Sequence, residues 1–203
     1  MTELRRLAAL VLARLGARPD TEHEQAIVRL AIAALLGAYL LPGGLNVPEW
    51  GALEPYYAVF VAYMALAVVI LAWNLGSNTV SHLRRCVALV ADVATVTWSM
   101  WYFGDKALPL LMVYIWVTLA NGFRFGPAYL LISLGCSLAG FVTVLATSAY
   151  WQEHLPAGIG LVLGHFALSL YVLSLVTRMF DALARAEAAN QAKRRFVDRK
   201  SVV

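Results

Sequence analysis

Long apolar runs alternate with short polar breaks along most of this chain. A helix needs about 20 residues to cross roughly 30 Å of hydrocarbon, and six runs reach or approach that length. Glycine, proline and charged residues separate the runs. The pattern predicts an all-α membrane protein, a six-helix transmembrane bundle with spans at 26–41, 56–75, 86–103, 107–123, 128–150 and 158–177.

The composition favours a lipid environment over water. Hydrophobic residues make up 61% of the chain and charged residues 14%, with a mean hydropathy of +0.70. A soluble domain is nearer half apolar and a quarter charged. The net charge of +4 is modest and unevenly placed, so we expect no nucleic-acid partner. Cys86 and Cys136 lack metal-ligand spacing, and the sequence predicts no metal site.

The basic residues orient the predicted spans. In a six-span arrangement every lysine and arginine except Arg29 and Lys106 falls on one side, whereas five spans would split them between the two sides. The positive-inside rule makes the basic side cytoplasmic, so we expect both termini in the cytoplasm. Residues 1–25 are predicted to be a juxtamembrane segment with an amphipathic helix. That helix either lies in the membrane interface or is a short cytosolic helix.

The helix of the last span has no local reason to stop where the apolar run ends. Residues 178–197 contain neither glycine nor proline and are rich in strong helix formers. One seam, spaced alternately by four and three as in a coiled coil, includes Phe180, Leu183 and Asn190. A second seam begins at Met179. Two competing seams suit a signalling helix, because a ligand can favour one register; a solvated tail is the plain alternative.

Polar residues within the spans are candidate ligand-binding residues. Asp92 is a lone carboxylate in the third span and requires a partner, for which Arg29 and Arg124 lie at suitable depths. Such a pair belongs either to a ligand or switching site or to helix packing. Asn121 and Arg124, at the end of the fourth span, form either part of the same site or a turn with a basic anchor. His165 in the sixth span is interpreted as a packing histidine in preference to a metal or haem ligand.

Three stretches resemble the membrane input region of RpfC-type hybrid histidine kinases. They are residues 20–23 (DTEH), 81–85 (SHLRR) and 116–126 (WVTLANGFRFG). That group senses the diffusible signal factor, a cis-unsaturated fatty acid. The resemblance implies a dimeric sensor in the bacterial inner membrane that contacts lipid and perceives a small lipophilic signal.

The first of these stretches has two readings. By the resemblance, Asp20, Glu22 and His23 would belong to a juxtamembrane sensing segment. The plain account of the same residues is a helix cap ahead of the first span.

The end of the chain resembles the start of a kinase domain. Residues 189–196 (ANQAKRRF) are similar to the segment that opens the dimerisation and phosphotransfer domain of sensor histidine kinases. The resemblance implies that a longer protein carries a kinase using ATP and Mg, with a response regulator as partner. This chain itself holds no catalytic residue and no cofactor site. The pattern breaks at residues 198–203 (DRKSVV), which a common sequencing adapter would encode, so a non-native tail on a truncated reading frame is expected there.

Other functions are compatible with a small multi-span protein. A transporter or a stand-alone membrane binding protein is the main alternative, although the spans hold few polar residues and show no inverted repeat. A lipid-modifying enzyme would need a polar cluster at one interface, to which only Asp92, Asn121 and Arg124 contribute. The sequence therefore favours the membrane sensor region of a two-component histidine kinase.

Overall fold

The computed structural model describes residues 22–39, 54–77 and 79–201, and this part of the chain contains helices and no strand. A short 3-10 helix, Gly104–Leu110, joins the third and fourth α-helices. The α-helices are α1 Glu22–Tyr39, α2 Glu54–Gly76, α3 His82–Phe103, α4 Leu111–Phe125, α5 Pro127–Thr147, α6 Ala149–Glu153 and α7 Leu155–Ser201.

Four helical stretches in the described residues are long and apolar enough to cross a membrane. They are Pro55–Gly76, His82–Phe125, Pro127–Thr147 and Leu155–Arg195. The second contains both α3 and α4, which fold back on each other: the hydroxyl oxygens of Thr97 and Tyr114 are 2.7 Å apart. Gly104 allows the reversal with a φ of +57°. An all-α protein with membrane-type helices is thus confirmed, and the count of six crossings stays a prediction.

Local sequence signals explain where the helices begin and end. Ser81 caps α3 by accepting a hydrogen bond from the backbone N–H of Arg84 at 3.3 Å. Gly126 ends α4 with a φ of +97°, and Pro127 starts α5 without losing a needed donor. The turn between α4 and α5 is therefore a single residue long.

The helices bury two groups of apolar side chains. The larger group lies among α2 to α6 and includes Met100, Tyr114, Phe141 and Trp151, each at most 1% exposed. The smaller group joins α5 to α7. Many other large apolar side chains point outward, as expected where lipid replaces water. They include Val61, Val69, Val90, Met112, Leu163 and Tyr171.

The last helix extends far beyond the rest of the bundle. α7 has 47 residues, which at 1.5 Å per residue is about 70 Å, more than twice the hydrocarbon thickness of a bilayer. Residues 181–195 are exposed throughout. This part of α7 leaves the bundle at the end formed by the start of α1, the α2–α3 connection and the α4–α5 turn, which we call the basal end.

Candidate functional site

The first helix presents a polar stripe to the rest of the bundle. Glu22, Gln25 and Arg29 are spaced by three and four residues, so they lie on one face of α1. Each bonds to another element: Glu22 to the start of α3, Gln25 to Asn121 on α4, and Arg29 to Asp92 in α3. The stripe holds α1 in a defined position although few apolar residues of this helix are buried.

The deepest of these contacts is a bidentate ion pair. Arg29 Nε donates to Asp92 Oδ1 at 2.6 Å and Nη2 donates to Oδ2 at 3.0 Å. The Tyr63 hydroxyl also donates to Asp92 Oδ1, at 2.7 Å. The two charged side chains are 7% and 10% exposed. Of the two arginines predicted as partners of Asp92, Arg29 is the one that pairs with it.

Asn121 and Arg124 anchor α1 closer to the basal end. Asn121 Nδ2 donates to the Val117 carbonyl at 2.7 Å, and its Oδ1 accepts from Gln25 Nε2 at 3.1 Å. Arg124 Nη1 donates to Glu24 Oε2 at 3.1 Å in a more exposed pair. Both predicted residues therefore contact the first helix.

A cavity of about 180 Å³ lies between α1, α2, α3 and α4. Its polarity changes along its length. Near the basal end it is lined by Gln25, Asn121 and Arg124, then by the Arg29–Asp92 pair at its middle. Farther away its walls are mainly apolar and include Ile32, Leu36, Phe60, Val96 and Val113.

One aromatic side chain marks the rim of this cavity. Trp116 lines it and is also 51% exposed on the outside of the bundle. The cavity thus reaches the surface that faces lipid if the helices cross a membrane. Such a space, apolar with a small polar centre, is typical of sites for amphipathic small molecules.

A second polar cluster closes the basal end. Glu22 accepts hydrogen bonds from Arg84 through Oε2 and from Arg85 through Oε1, the latter at 2.6 Å. Glu22 and Arg84 are 4% and 2% exposed. One buried carboxylate thus pairs with two arginines from the start of α3, and joins α1 to α3.

Arg85 extends this cluster to the α4–α5 turn. Its guanidinium lies 4.0 Å from the ring centre of Phe125 and 5.4 Å from that of Tyr129, in cation–π geometry. The Tyr129 hydroxyl is also 2.6 Å from Nδ1 of His82. The start of α3 and the α4–α5 turn therefore form one connected unit.

The last helix, α7, packs beside this unit. Phe180 of α7 packs against the smaller buried group of Leu130, Val172 and Val176. It also lies next to Gly126, whose missing Cβ would sit 3.6 Å from the Phe180 ring. A movement at the α4–α5 turn would therefore reach α7 through Phe180.

The chain is 33% identical over 185 residues to the sensory/regulatory protein RpfC from two strains of Xanthomonas campestris pv. campestris. The match covers 91% of this chain and 25% of RpfC. The chain matches an RpfC-type sensor region. It spans about a quarter of the length of the curated relatives it matches. No protein-family model matches it, and no solved structure does.

The predicted resemblance to RpfC-type proteins is thus confirmed, and its three stretches meet in space. Glu22 of the first stretch bonds to the arginines of the second. Arg85 of the second stacks on Phe125 of the third. Residues far apart in this sequence therefore form one cluster at the basal end.

Other predicted residues are placed less centrally in the structure. Asp20 lies outside the described residues. His23 is buried at 9% exposure near the start of α1. Leu183 and Asn190 are exposed on α7. His165 is buried with Nε2 3.1 Å from Thr118 Oγ1, which is the contact of a packing histidine.

The sequence did not predict three residues that make buried or partly buried polar contacts in the structure. Tyr63 and Gln25 complete the polar groups around the cavity, and Arg84 is buried rather than a surface topology signal. A polar side chain on the same helical face as other polar residues is the signal that would have identified Gln25. Tyr63 is the more difficult case, because tyrosine is also common in apolar spans.

Proposed function

We propose that this RpfC-type region perceives a small lipophilic, fatty-acid-like signal and relays it to a histidine kinase of a two-component system. The match to a sensory/regulatory protein over 91% of the chain is the observation that carries the proposal. The region lies in the bacterial inner membrane with six crossings and both ends in the cytoplasm. The kinase part, which binds ATP and Mg, then acts on a response regulator.

The bundle cavity supports the lipophilic character of the signal. Its walls away from the basal end are mainly apolar, and a polar centre at Arg29 and Asp92 can orient one head group. Trp116 at the rim gives a path from surrounding lipid. An apolar signal would concentrate in the bilayer and enter sideways, without a binding domain outside the membrane.

The connection from the cavity to α7 supports the relay. A ligand beside Arg29 would change the position of α1, since Arg29 and Gln25 are polar residues through which this helix bonds to α3 and α4. Glu22 at the start of α1 bonds to Arg85, which stacks on the α4–α5 turn, and the turn contacts Phe180. Ligand binding is thus coupled to α7 by one continuous series of contacts.

The two seams of α7 give the relay two end states. Phe180 of the first seam packs against the bundle, whereas Met179 of the second is exposed. In a homodimer the exposed residues of both seams can pair, but Phe180 joins the first seam only after it is released from the bundle. The ligand would select between these pairings.

Disulfide cross-linking in membranes tests this proposal. Cys86 and Cys136 are replaced by alanine, and a single cysteine is placed on the first seam (Leu183→Cys) or the second (Ala186→Cys). A cis-unsaturated fatty acid and its saturated counterpart serve as probes. We expect cross-linking of one variant to rise and of the other to fall when the unsaturated acid is added.

The matched control is Arg185→Cys, an exposed position between the two tested residues. Its cross-linking should not respond to the probe. Equal changes in all three variants would indicate altered clustering in the membrane and would count against a seam-specific relay. No change in any variant across an acyl-length series would refute the proposed function.

A further inference from the structure

The central ion pair of the cavity determines which head group the cavity accepts. We propose that this head is uncharged and both donates and accepts a hydrogen bond, as a primary alcohol or a protonated carboxylic acid does. The head would lie against Arg29 and Asp92, with its chain directed away from the basal end. This inference rests on the proposed function, because it assumes that the cavity is the ligand site.

The hydrogen-bonding capacity of the pair is only partly used. A carboxylate offers about four acceptor positions, and Asp92 uses three: two for Arg29 and one for Tyr63. A guanidinium has five N–H donors, and within the described residues Arg29 directs two of them to Asp92. One acceptor on Asp92 Oδ2 therefore stands beside spare donors on Arg29. An O–H group that also accepts fits both.

The charge of the cavity excludes an anionic head. The charged side chains among the described lining residues are Arg29, Asp92 and Arg124. Arg29 is neutralised by Asp92, and Arg124 is paired with Glu24. A carboxylate placed there would add an uncompensated charge at low dielectric and would meet Asp92 at short range, both of which are costly.

The lining of the cavity sets the direction of the chain. Gln25, Asn121 and Arg124 occupy the side toward the basal end, and the opposite side is mainly apolar. From Arg29 to Leu36 the helix rises by roughly 10 Å. We therefore expect a single acyl chain to lie along the apolar side, with the head at the ion pair.

Fluorescence quenching of Trp116 by a brominated amphiphile measures occupancy directly. The chain is reconstituted in phosphatidylcholine nanodiscs. It is titrated with a terminally brominated fatty acid, the primary alcohol of the same chain and the methyl ester of the acid. The cavity signal is the part of the quenching that Trp116→Phe removes. Trp101→Phe is the matched control, since Trp101 is 49% exposed but lies outside this cavity.

We expect the acid and the alcohol to saturate the Trp116 signal at similar concentrations. The ester, which cannot donate to Asp92, should bind about tenfold more weakly. An acid that binds about tenfold more tightly than the alcohol would refute the uncharged head while leaving the cavity as the ligand site. If no probe gives a saturable Trp116 signal, the cavity is not the ligand site, and the cavity part of the proposed function fails too.

A charge variant tests the same inference independently. Asp92→Asn leaves Arg29 without its anion, so the acid should now bind more tightly than the alcohol. The double variant Arg29→Gln with Asp92→Asn is neutral again and should remove that preference. If Asp92→Asn does not fold, the preference between acid and alcohol is compared in the double variant and the native chain. A preference for the acid in the neutral double variant would contradict the role of the pair.

Discussion

At the residue scale, Glu22 joins the first helix to two arginines at the start of α3. Its carboxylate accepts hydrogen bonds from both Arg84 and Arg85, and all three side chains are at most 11% exposed. Removing one partner of a buried pair leaves the other charge unpaired, which is more costly than the net strength of the pair. Glu22 therefore stabilises the fold mainly because, without it, Arg84 and Arg85 would be buried without this anionic partner.

Replacing Glu22 should consequently be among the most destabilising single changes in the described chain. We expect Glu22→Gln to lower the free energy of unfolding by about 3–5 kcal/mol, measured by titration with sodium dodecyl sulfate in mixed micelles. Glu24→Gln is the matched control. Glu24 is two residues away and 55% exposed in its pair with Arg124, so its loss should cost at most about 1 kcal/mol.

Equal effects of the two substitutions would contradict this assignment. The family resemblance singled out Glu22, but the residue pattern alone does not distinguish it from Glu24, since both are acidic residues in the first turn of a helix. Helical periodicity determines which of the two faces inward, but only once the first residue of α1 is known. The pairing of Asp92 was more predictable, because a carboxylate within a span demands a cation at similar depth.

At the scale of elements, the α4–α5 turn depends on one glycine. Gly126 adopts a φ of +97° and a ψ of −178°, a region that side chains other than glycine enter at a cost of about 1–3 kcal/mol. The same residue faces Phe180. Strain introduced here therefore acts on both the turn and the docking of α7.

We expect Gly126→Ala to destabilise the bundle by about 1–3 kcal/mol in the same detergent titration. Gly135→Ala is the matched control in the helix that follows. Gly135 has open space where a Cβ would stand, and alanine is favoured over glycine inside a helix by about 1 kcal/mol. A destabilising Gly135→Ala, or a neutral Gly126→Ala, would show that the turn tolerates another conformation.

The docking of α7 depends on Phe180 rather than on its exposed neighbour. Phe180→Ala removes a ring that packs on Leu130, Val172 and Val176. We expect faster amide hydrogen exchange along the central part of α7 and at the α4–α5 turn, because this contact connects them. Met179→Ala should leave exchange unchanged, since Met179 is 38% exposed and lies on the other seam. Faster exchange spread equally over α1 to α3 would indicate general loosening instead.

The elements themselves were largely predictable, and their contacts were not. Apolar length and the glycine and proline breaks placed the second, third and sixth predicted spans on single helices. The first runs past the described residues, the fourth begins in the 3-10 helix, and the fifth runs past the end of α5 at Thr147. The lack of breakers after residue 177 predicted the extension of α7. The cavity depends on how four helices are rotated about their axes. The sequence pattern does not determine these rotations, because the faces toward lipid and toward the core are both apolar. Tyr63 and Arg84 were missed for this reason.

At the scale of the whole molecule, the number of crossings determines the orientation of every site. By length and composition α3 and α4 form one apolar stretch, His82–Phe125, yet the contact of Thr97 with Tyr114 requires that they run side by side. If both cross the bilayer, the 3-10 helix between them lies on the outer side of the membrane. The basal end and the exposed part of α7 then share the cytoplasmic side with most of the arginines.

Accessibility of single cysteines tests this topology in whole cells. In a variant with Cys86 and Cys136 replaced by alanine, new cysteines are placed at Asp105, Thr79 and Arg185, all exposed. A membrane-impermeant thiol reagent should label residue 105 from outside. Residues 79 and 185 should react only after the membrane is opened, because they lie on the basic side.

The labelling of residue 105 decides between the two topologies. If α3 and α4 cross as a hairpin, this position is in water and reacts at the rate of an exposed thiol. If they do not cross separately, it lies in lipid or on the inner side and stays unlabelled from outside. In that second case the Arg29–Asp92 pair would no longer sit within the hydrocarbon, where the cost of an unpaired charge is highest. The charge preference proposed for the cavity would weaken accordingly, so the topology and the head-group experiments must agree.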